Sequence, residues 1–195
     1  MPALLPRSAP RWLTDPVVEL LARLGITPNM LTAAGVLGNV GAAVLAGRGD
    51  FLPAGIIVLA ASSLDLFDGA LARATGRATP FGAVFDAVMD RVSEAAVLFG
   101  LLIYFSGRGG RTEELLAFAA VVGSFLVSYV RARAQIIGLN LREGLFTRAE
   151  RVMLLGLGLI IDQVTPMLWI LAVLAGATAA QRLILVWIRA RRQQE

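Results

Sequence analysis

Four aspartates stand at helical spacing in this chain: Asp65 and Asp68 three residues apart, Asp86 and Asp90 four apart. On helices each pair occupies one face. Their surroundings are greasy, since 57% of the 195 residues are apolar, 16% are charged and the mean hydropathy is +0.72. An unpaired carboxylate at membrane depth costs about 3 kcal/mol, so four of them need compensation. Arg73 and Arg91 could neutralise some of the carboxylates. Alternatively, divalent cations could sit among them, and an all-oxygen cluster points to Mg²⁺, Mn²⁺ or Ca²⁺. The chain has no cysteine and no histidine, which excludes disulfides, thiol nucleophiles, zinc sites and histidine acid–base chemistry. Gly69, Ala72 and Gly76 share a face with Asp65 and Asp68, and Gly82 opens the face of Asp86 and Asp90. An acidic face stripped of bulk leaves room for a ligand, although close helix packing would use the same small residues. Carboxylate-held Mg²⁺ keeps positions for substrate phosphates, two such ions can clamp a phosphoryl group, and Arg73 could offer it a bidentate fork. Phosphoryl chemistry at a membrane surface uses all of these parts.

The elements that must position these residues are read from apolar runs broken by Gly, Pro and charge. No charge appears between Arg23 and Arg48 or between Asp162 and Arg182, and each gap supplies the roughly 20 apolar residues that cross a hydrocarbon core. The pattern predicts an all-α integral membrane protein, a single domain over 1–195 with a six-helix bundle over 30–188. Its spans are expected at about 30–47, 51–73, 81–106, 113–135, 150–164 and 166–188. Ahead of them, Trp12, Leu13, Val17, Leu20 and Leu21 alternate with charges, which predicts an interfacial amphipathic helix over 8–25. The start lacks a long apolar core followed by a small-residue cleavage site, so no cleaved signal peptide is expected. All 18 basic residues are arginines, and their distribution over the loops places both termini in the cytoplasm and the acidic cluster at the cytoplasmic face of the inner membrane. In the first span Gly35, Gly38 and Gly41 suit close helix packing, and Thr27–Pro28 suits a helix start.

The stretch Asp65-Leu-Phe-Asp68-Gly69-Ala-Leu-Ala72-Arg73, followed by Gly82, Asp86 and Asp90, matches all eight fixed positions of the signature of the CDP-alcohol phosphotransferase family. The chain therefore resembles enzymes with six transmembrane helices that work as homodimers and transfer a phosphatidyl group from CDP-diacylglycerol to an alcohol, releasing CMP. The resemblance implies that Asp65, Asp68 and Asp86 are metal ligands, and that Asp90 is both a ligand of a second metal and the general base. It implies Asn29, Thr32, Gly69, Arg73 and Thr79 as contacts of the CDP moiety, and two Mg²⁺ ions, with Mn²⁺ as the other candidate.

That motif specifies only the CDP half of the reaction. The segments "SYVRARAQ", "GLFTRAERV" and "AAQRLILVW" resemble those with which the actinobacterial phosphatidylinositol phosphate synthases of this family build an inositol phosphate pocket. Arg131 replaces a lysine there, and Thr147 replaces the first glutamate of the second segment. Arg131, Arg133, Arg148, Arg151 and Arg182 are the expected acceptor-phosphate ligands, with inner-leaflet flanking charge as their other use. The implied partners are CDP-diacylglycerol, inositol 1-phosphate or a similar phosphorylated polyol, membrane lipids and a second copy of the chain, with no nucleic acid. Glycerol 3-phosphate is the second acceptor, and a cation-binding transporter is the reading from another class. A transporter would spread its charges through the bilayer depth rather than gather them near one face.

Overall fold

The structure, a computed structural model, describes residues 11–141 and 144–192, and among these it is entirely helical. Seven helices follow in order: α1 Arg11–Arg23, α2 Pro28–Arg48, α3 Phe51–Ala74, α4 Pro80–Ser106, α5 Arg111–Ile136, α6 Arg148–Ile160 and α7 Val164–Arg192. Local chemistry sets several of the boundaries. Thr27 caps α2, accepting from the Met30 N–H at 3.3 Å, and Pro28 pre-sets the first turn. At the other end Gly49, at φ 95°, takes the left-handed conformation and returns its N–H to the Leu45 and Ala46 carbonyls.

Helices α2, α3, α5 and α7 are long and apolar enough to cross a bilayer, with mean hydropathies of 1.6, 1.6, 1.8 and 1.8. Helix α4 has 27 residues, but its first fifteen carry Asp86, Asp90, Arg91 and Glu94. Helix α6 has only 13 residues, a length of about 20 Å against a hydrocarbon core of about 30 Å. The expected span at 150–164 is thus shortened. The chain turns at Ile161–Gln163, where Asp162 adopts φ 55°, and α7 begins two residues early and runs on to Arg192.

Packing relies on close backbone approach. Helix α2 lies against both α3 and α4, α3 against α6, and α5 against α7. A methyl on Gly38 would come within 2.9 Å of the Ala61 methyl, and one on Gly100 would overlap the Ala43 carbonyl. Of the three glycines expected to serve packing, Gly35 and Gly38 face α3, whereas Gly41 looks into open space. The main core joins Val58, Leu98, Leu101, Leu155 and Leu168. Helix α1 docks through Val18, which is buried with Leu31 and Leu71, while Val17 and Leu20 stay exposed. Leu21 packs partly buried against the same cluster. The side chains of Trp12 and Leu13, and residues 8–10 of the expected helix, lie outside the described residues.

Candidate active site

The acidic residues converge where the C-terminal half of α3 meets the N-terminal half of α4. One carboxylate oxygen from each of Asp65, Asp68 and Asp86 can be chosen so that all three lie within 4.8 Å of one another. Thr32, buried on α2, donates its hydroxyl proton to Asp68 Oδ2 at 2.7 Å. Asp86 Oδ1 is buried and has no hydrogen-bond partner among the described residues. A buried oxygen left in that condition costs about 1–3 kcal/mol or more when charged, and a cation ligand removes the cost. Three carboxylate oxygens from two helices gathered this closely, with no nitrogen or sulfur donor among them, are the donor set of a hard divalent cation. The donor set and the orphaned oxygen both fit a hard divalent cation.

Asp90 is placed differently. Its Oδ1 lies 2.8 Å from Arg148 Nη2, and the same nitrogen reaches Asp65 Oδ2 at 2.6 Å. Arg91 Nη1 stands 3.7 Å from Asp90 Oδ2 while that side chain donates to the Ala87 carbonyl. The counter-charges in the cluster are therefore Arg148 and Arg91. Arg73, one of the two arginines expected there, forms no ion pair among the described residues and lines a cleft instead. Among the described residues four carboxylates face two guanidinium groups, which leaves an acidic excess for a cation.

That cleft has a volume of about 210 Å³ and lies between the starts of α2 and α4 and the end of α3. Asn29, Thr32, Gly69, Arg73 and Thr79, all five expected contacts of the nucleotide, line it together with Asp68 and Asp86. Helix capping positions two of its walls: Thr79 accepts from the Gly82 N–H at 3.0 Å, which starts α4 beside the opening. A methyl on Gly82 would stand 3.1 Å from Thr79 Oγ1 and 3.7 Å from Asn29 Oδ1, so this glycine keeps the passage between α2 and α4 clear. Gly76 does not share the aspartate face as its spacing suggested. Helix α3 ends at Ala74, and Gly76 occupies the following turn at φ 65°.

The five arginines expected to bind an acceptor phosphate fall into four environments. Arg131 and Arg133 are exposed at the end of α5. Arg182 is buried on α7 and donates through Nη1 to the Val127 carbonyl at 2.7 Å, one turn before Arg131. Arg148 stands among the aspartates, and Arg151, 2% exposed, makes a fork to Glu94 at 2.6 and 2.9 Å. Thr147 ends up as the N-cap of α6, its N–H donating to the Glu150 carboxylate at 2.5 Å. Glu94 and its donor Ser124, at 2.8 Å, were not singled out by sequence. The available signal was position: Glu94 stands one turn beyond Asp90 on the same face of α4.

Comparison with known proteins gives a consistent picture. A family model described as CDP-alcohol phosphatidyltransferase matches residues 25–190. The archaetidylinositol phosphate synthase of Pyrococcus horikoshii is 37% identical over 165 residues, covering 84% of this chain and 85% of the relative. The phosphatidylinositol phosphate synthase of Mycobacterium marinum is 35% identical over 194 residues, covering 94% and 83%. The crystal structure of the Mycobacterium tuberculosis phosphatidylinositol phosphate synthase with CDP-DAG bound superposes with a TM-score of 0.84 at 33% identity, over 90% of this chain and 94% of that one. The structure of the same enzyme in complex with manganese and citrate gives 0.83 at 33% identity, over 89% and 88%.

Proposed function

The chain belongs to the CDP-alcohol phosphatidyltransferase family, and from that premise we propose that it transfers the phosphatidyl group of CDP-diacylglycerol to myo-inositol 1-phosphate. The products are phosphatidylinositol phosphate and CMP. The observation that carries this reading is the junction of the Asp65–Asp68–Asp86 group with a cleft lined by Asn29, Thr32, Gly69, Arg73 and Thr79. The acceptor is inferred from relatives that are named inositol phosphate synthases.

Bound divalent cations, two Mg²⁺ or Mn²⁺ ions held by Asp65, Asp68, Asp86 and Asp90, would neutralise the pyrophosphate and the departing CMP. The rest falls to side chains. Gly69 and Gly82 leave the backbone of α3 and α4 open to the nucleotide, Thr79 and Asn29 offer polar contacts at its rim, and the free fork of Arg73 meets phosphate oxygens. Asp90 takes the proton of the acceptor hydroxyl as that oxygen attacks the lipid-side β-phosphorus. A new phosphorus–oxygen bond forms, the bond to the bridging oxygen of CMP breaks, and CMP leaves with the electron pair. Arg131, Arg133 and Arg182 hold the acceptor phosphate at the α5–α7 side, with Arg148 between that phosphate and the aspartates.

The setting is a single membrane domain in the cell membrane, with six spans, both termini and the active site on the cytoplasmic side, a homodimer as the working unit and no nucleic-acid partner. The exposed apolar surface of α2, α3, α5 and α7 suits lipid contact. The test is a panel: purified protein, CDP-diacylglycerol, Mg²⁺ or Mn²⁺, and inositol 1-phosphate, glycerol 3-phosphate, serine or free inositol, scored by CMP release. Turnover with inositol 1-phosphate above the others is expected. Turnover with glycerol 3-phosphate alone would overturn the acceptor assignment, and no CMP release with any of the four would overturn the activity.

A further inference from the structure

Helix α6 packs its backbone on α3 and α7 and reaches α4 through long side chains. Two guanidinium–carboxylate rungs make that connection. The outer rung is Arg148 with Asp90, and the inner one, a turn deeper on both helices, is Arg151 with Glu94. The inner rung is the more enclosed: Arg151 is 2% and Glu94 6% exposed, the fork is bidentate, and Ser124 of α5 donates to the same carboxylate. A buried pair of this kind contributes little net stability against apolar replacements, yet loss of one partner leaves an uncompensated charge. What it supplies is register between helices, here between the start of α6 and the acidic half of α4.

The geometry points to Glu94, Arg151 and Ser124 as positioning residues that hold α6 so that Arg148 spans Asp65 and Asp90, with Arg151 serving the helix register rather than the acceptor phosphate. This deepens the transferase reading of the same site and rests on it. Arg151 is enclosed, and its Nε and Nη2 edge is committed to Glu94. Arg148, by contrast, bridges carboxylates on two different helices from a third, 83 and 58 residues away in sequence. A displacement of about 1 Å at reacting groups can cost on the order of 10²-fold in rate, and among the described residues these two carboxylates are what anchors the Arg148 guanidinium.

The experiment is a set of double-mutant cycles on the purified full chain, with kcat, acceptor KM and thermal midpoint measured for each variant. Glu94→Gln and Arg151→Gln should each lower kcat tenfold or more, and their combination should be no worse than either alone. In an Arg148→Gln background the same substitutions should change kcat less than threefold, because the group they position is gone. Where a single variant does not fold, the double Glu94→Leu/Arg151→Leu, which removes both charges together, carries the same comparison in both backgrounds. A rise in acceptor KM confined to the Arg151 variants, with Glu94 variants unaffected, would make Arg151 a phosphate ligand and overturn the inference. So would losses that multiply in the Arg148→Gln background, or a lowered thermal midpoint with kcat unchanged. Absence of CMP release by the wild-type chain would instead strike the transferase reading, and the two failures are thus told apart.

Discussion

Replacing Thr32 with Val removes one proton donor and keeps the shape of the side chain, so it isolates the contact from α2 to the acidic group. In the structure that donor meets Asp68 Oδ2 at 2.7 Å in a buried setting. A hydrogen bond to a charged group contributes about 1.5–3 kcal/mol, which is about 10- to 150-fold in an equilibrium constant. Asp68 also belongs to the group of three carboxylates that can share an ion, and partners that orient a metal ligand typically matter by about 10- to 100-fold in affinity. Both routes give the same expectation: the Mn²⁺ concentration for half-maximal CMP release should rise about 10- to 100-fold in Thr32→Val, and Thr32→Ser should recover most of it. The assay is CMP release against free Mn²⁺ at saturating CDP-diacylglycerol, with the thermal midpoint recorded to exclude misfolding. An unchanged Mn²⁺ dependence in a folded Thr32→Val protein would refute the assignment of Thr32 as the residue that orients Asp68.

Three further outcomes are expected. Asp90→Asn should lower turnover by at least 10²-fold, the scale of general-base catalysis, while CDP binding measured by calorimetry stays within about threefold, since Asp90 stands outside the cleft lining. Gly82→Leu should raise the KM for CDP-diacylglycerol on the order of tenfold or more with an unchanged thermal midpoint, because its side chain enters the passage between Thr79 and Asn29. Gly100→Ala should instead lower stability by about 1–3 kcal/mol, read as a lowered thermal midpoint, because its methyl overlaps the Ala43 carbonyl where α2 and α4 cross.

The aspartate cluster was legible in sequence for a simple reason. Spacings of three and four residues fix a shared face on any helix, and the short connection from Ala74 to Pro80 forces α3 and α4 to run antiparallel with those faces together. The cleft followed from small residues on the same faces, with Gly76 the exception because the helix stops before it. The choice of counter-ion was legible only in part, since Arg91 does stand beside Asp90 but Arg73 does not join the cluster. Arg73 and Arg91 are neighbours of the aspartates in sequence, but Arg148, 83 residues from Asp65, takes the central place because α6 packs on α3. The role of Arg151 depends on Glu94 across the same gap, and neither residue's spacing betrays the other. Helix α6 was expected to be longer, since the apolar run continues past Ile160. Its stop comes from a turn in which Asp162 takes a left-handed conformation that its residue type alone did not announce. On α1 the residue that docks is Val18, which the reading of its apolar stripe had not named.

The central claim is that Asp65, Asp68 and Asp86 jointly hold a divalent cation beside the nucleotide cleft. It is tested most directly by Mn²⁺ binding to the purified protein, followed by electron paramagnetic resonance with and without CDP. Saturable Mn²⁺ binding is predicted for the wild type, with a weakening of at least tenfold in each of Asp65→Asn, Asp68→Asn and Asp86→Asn, and CDP binding that depends on the ion. Mn²⁺ binding of equal strength in the three folded variants and the wild type, or CDP binding indifferent to the ion, would contradict it.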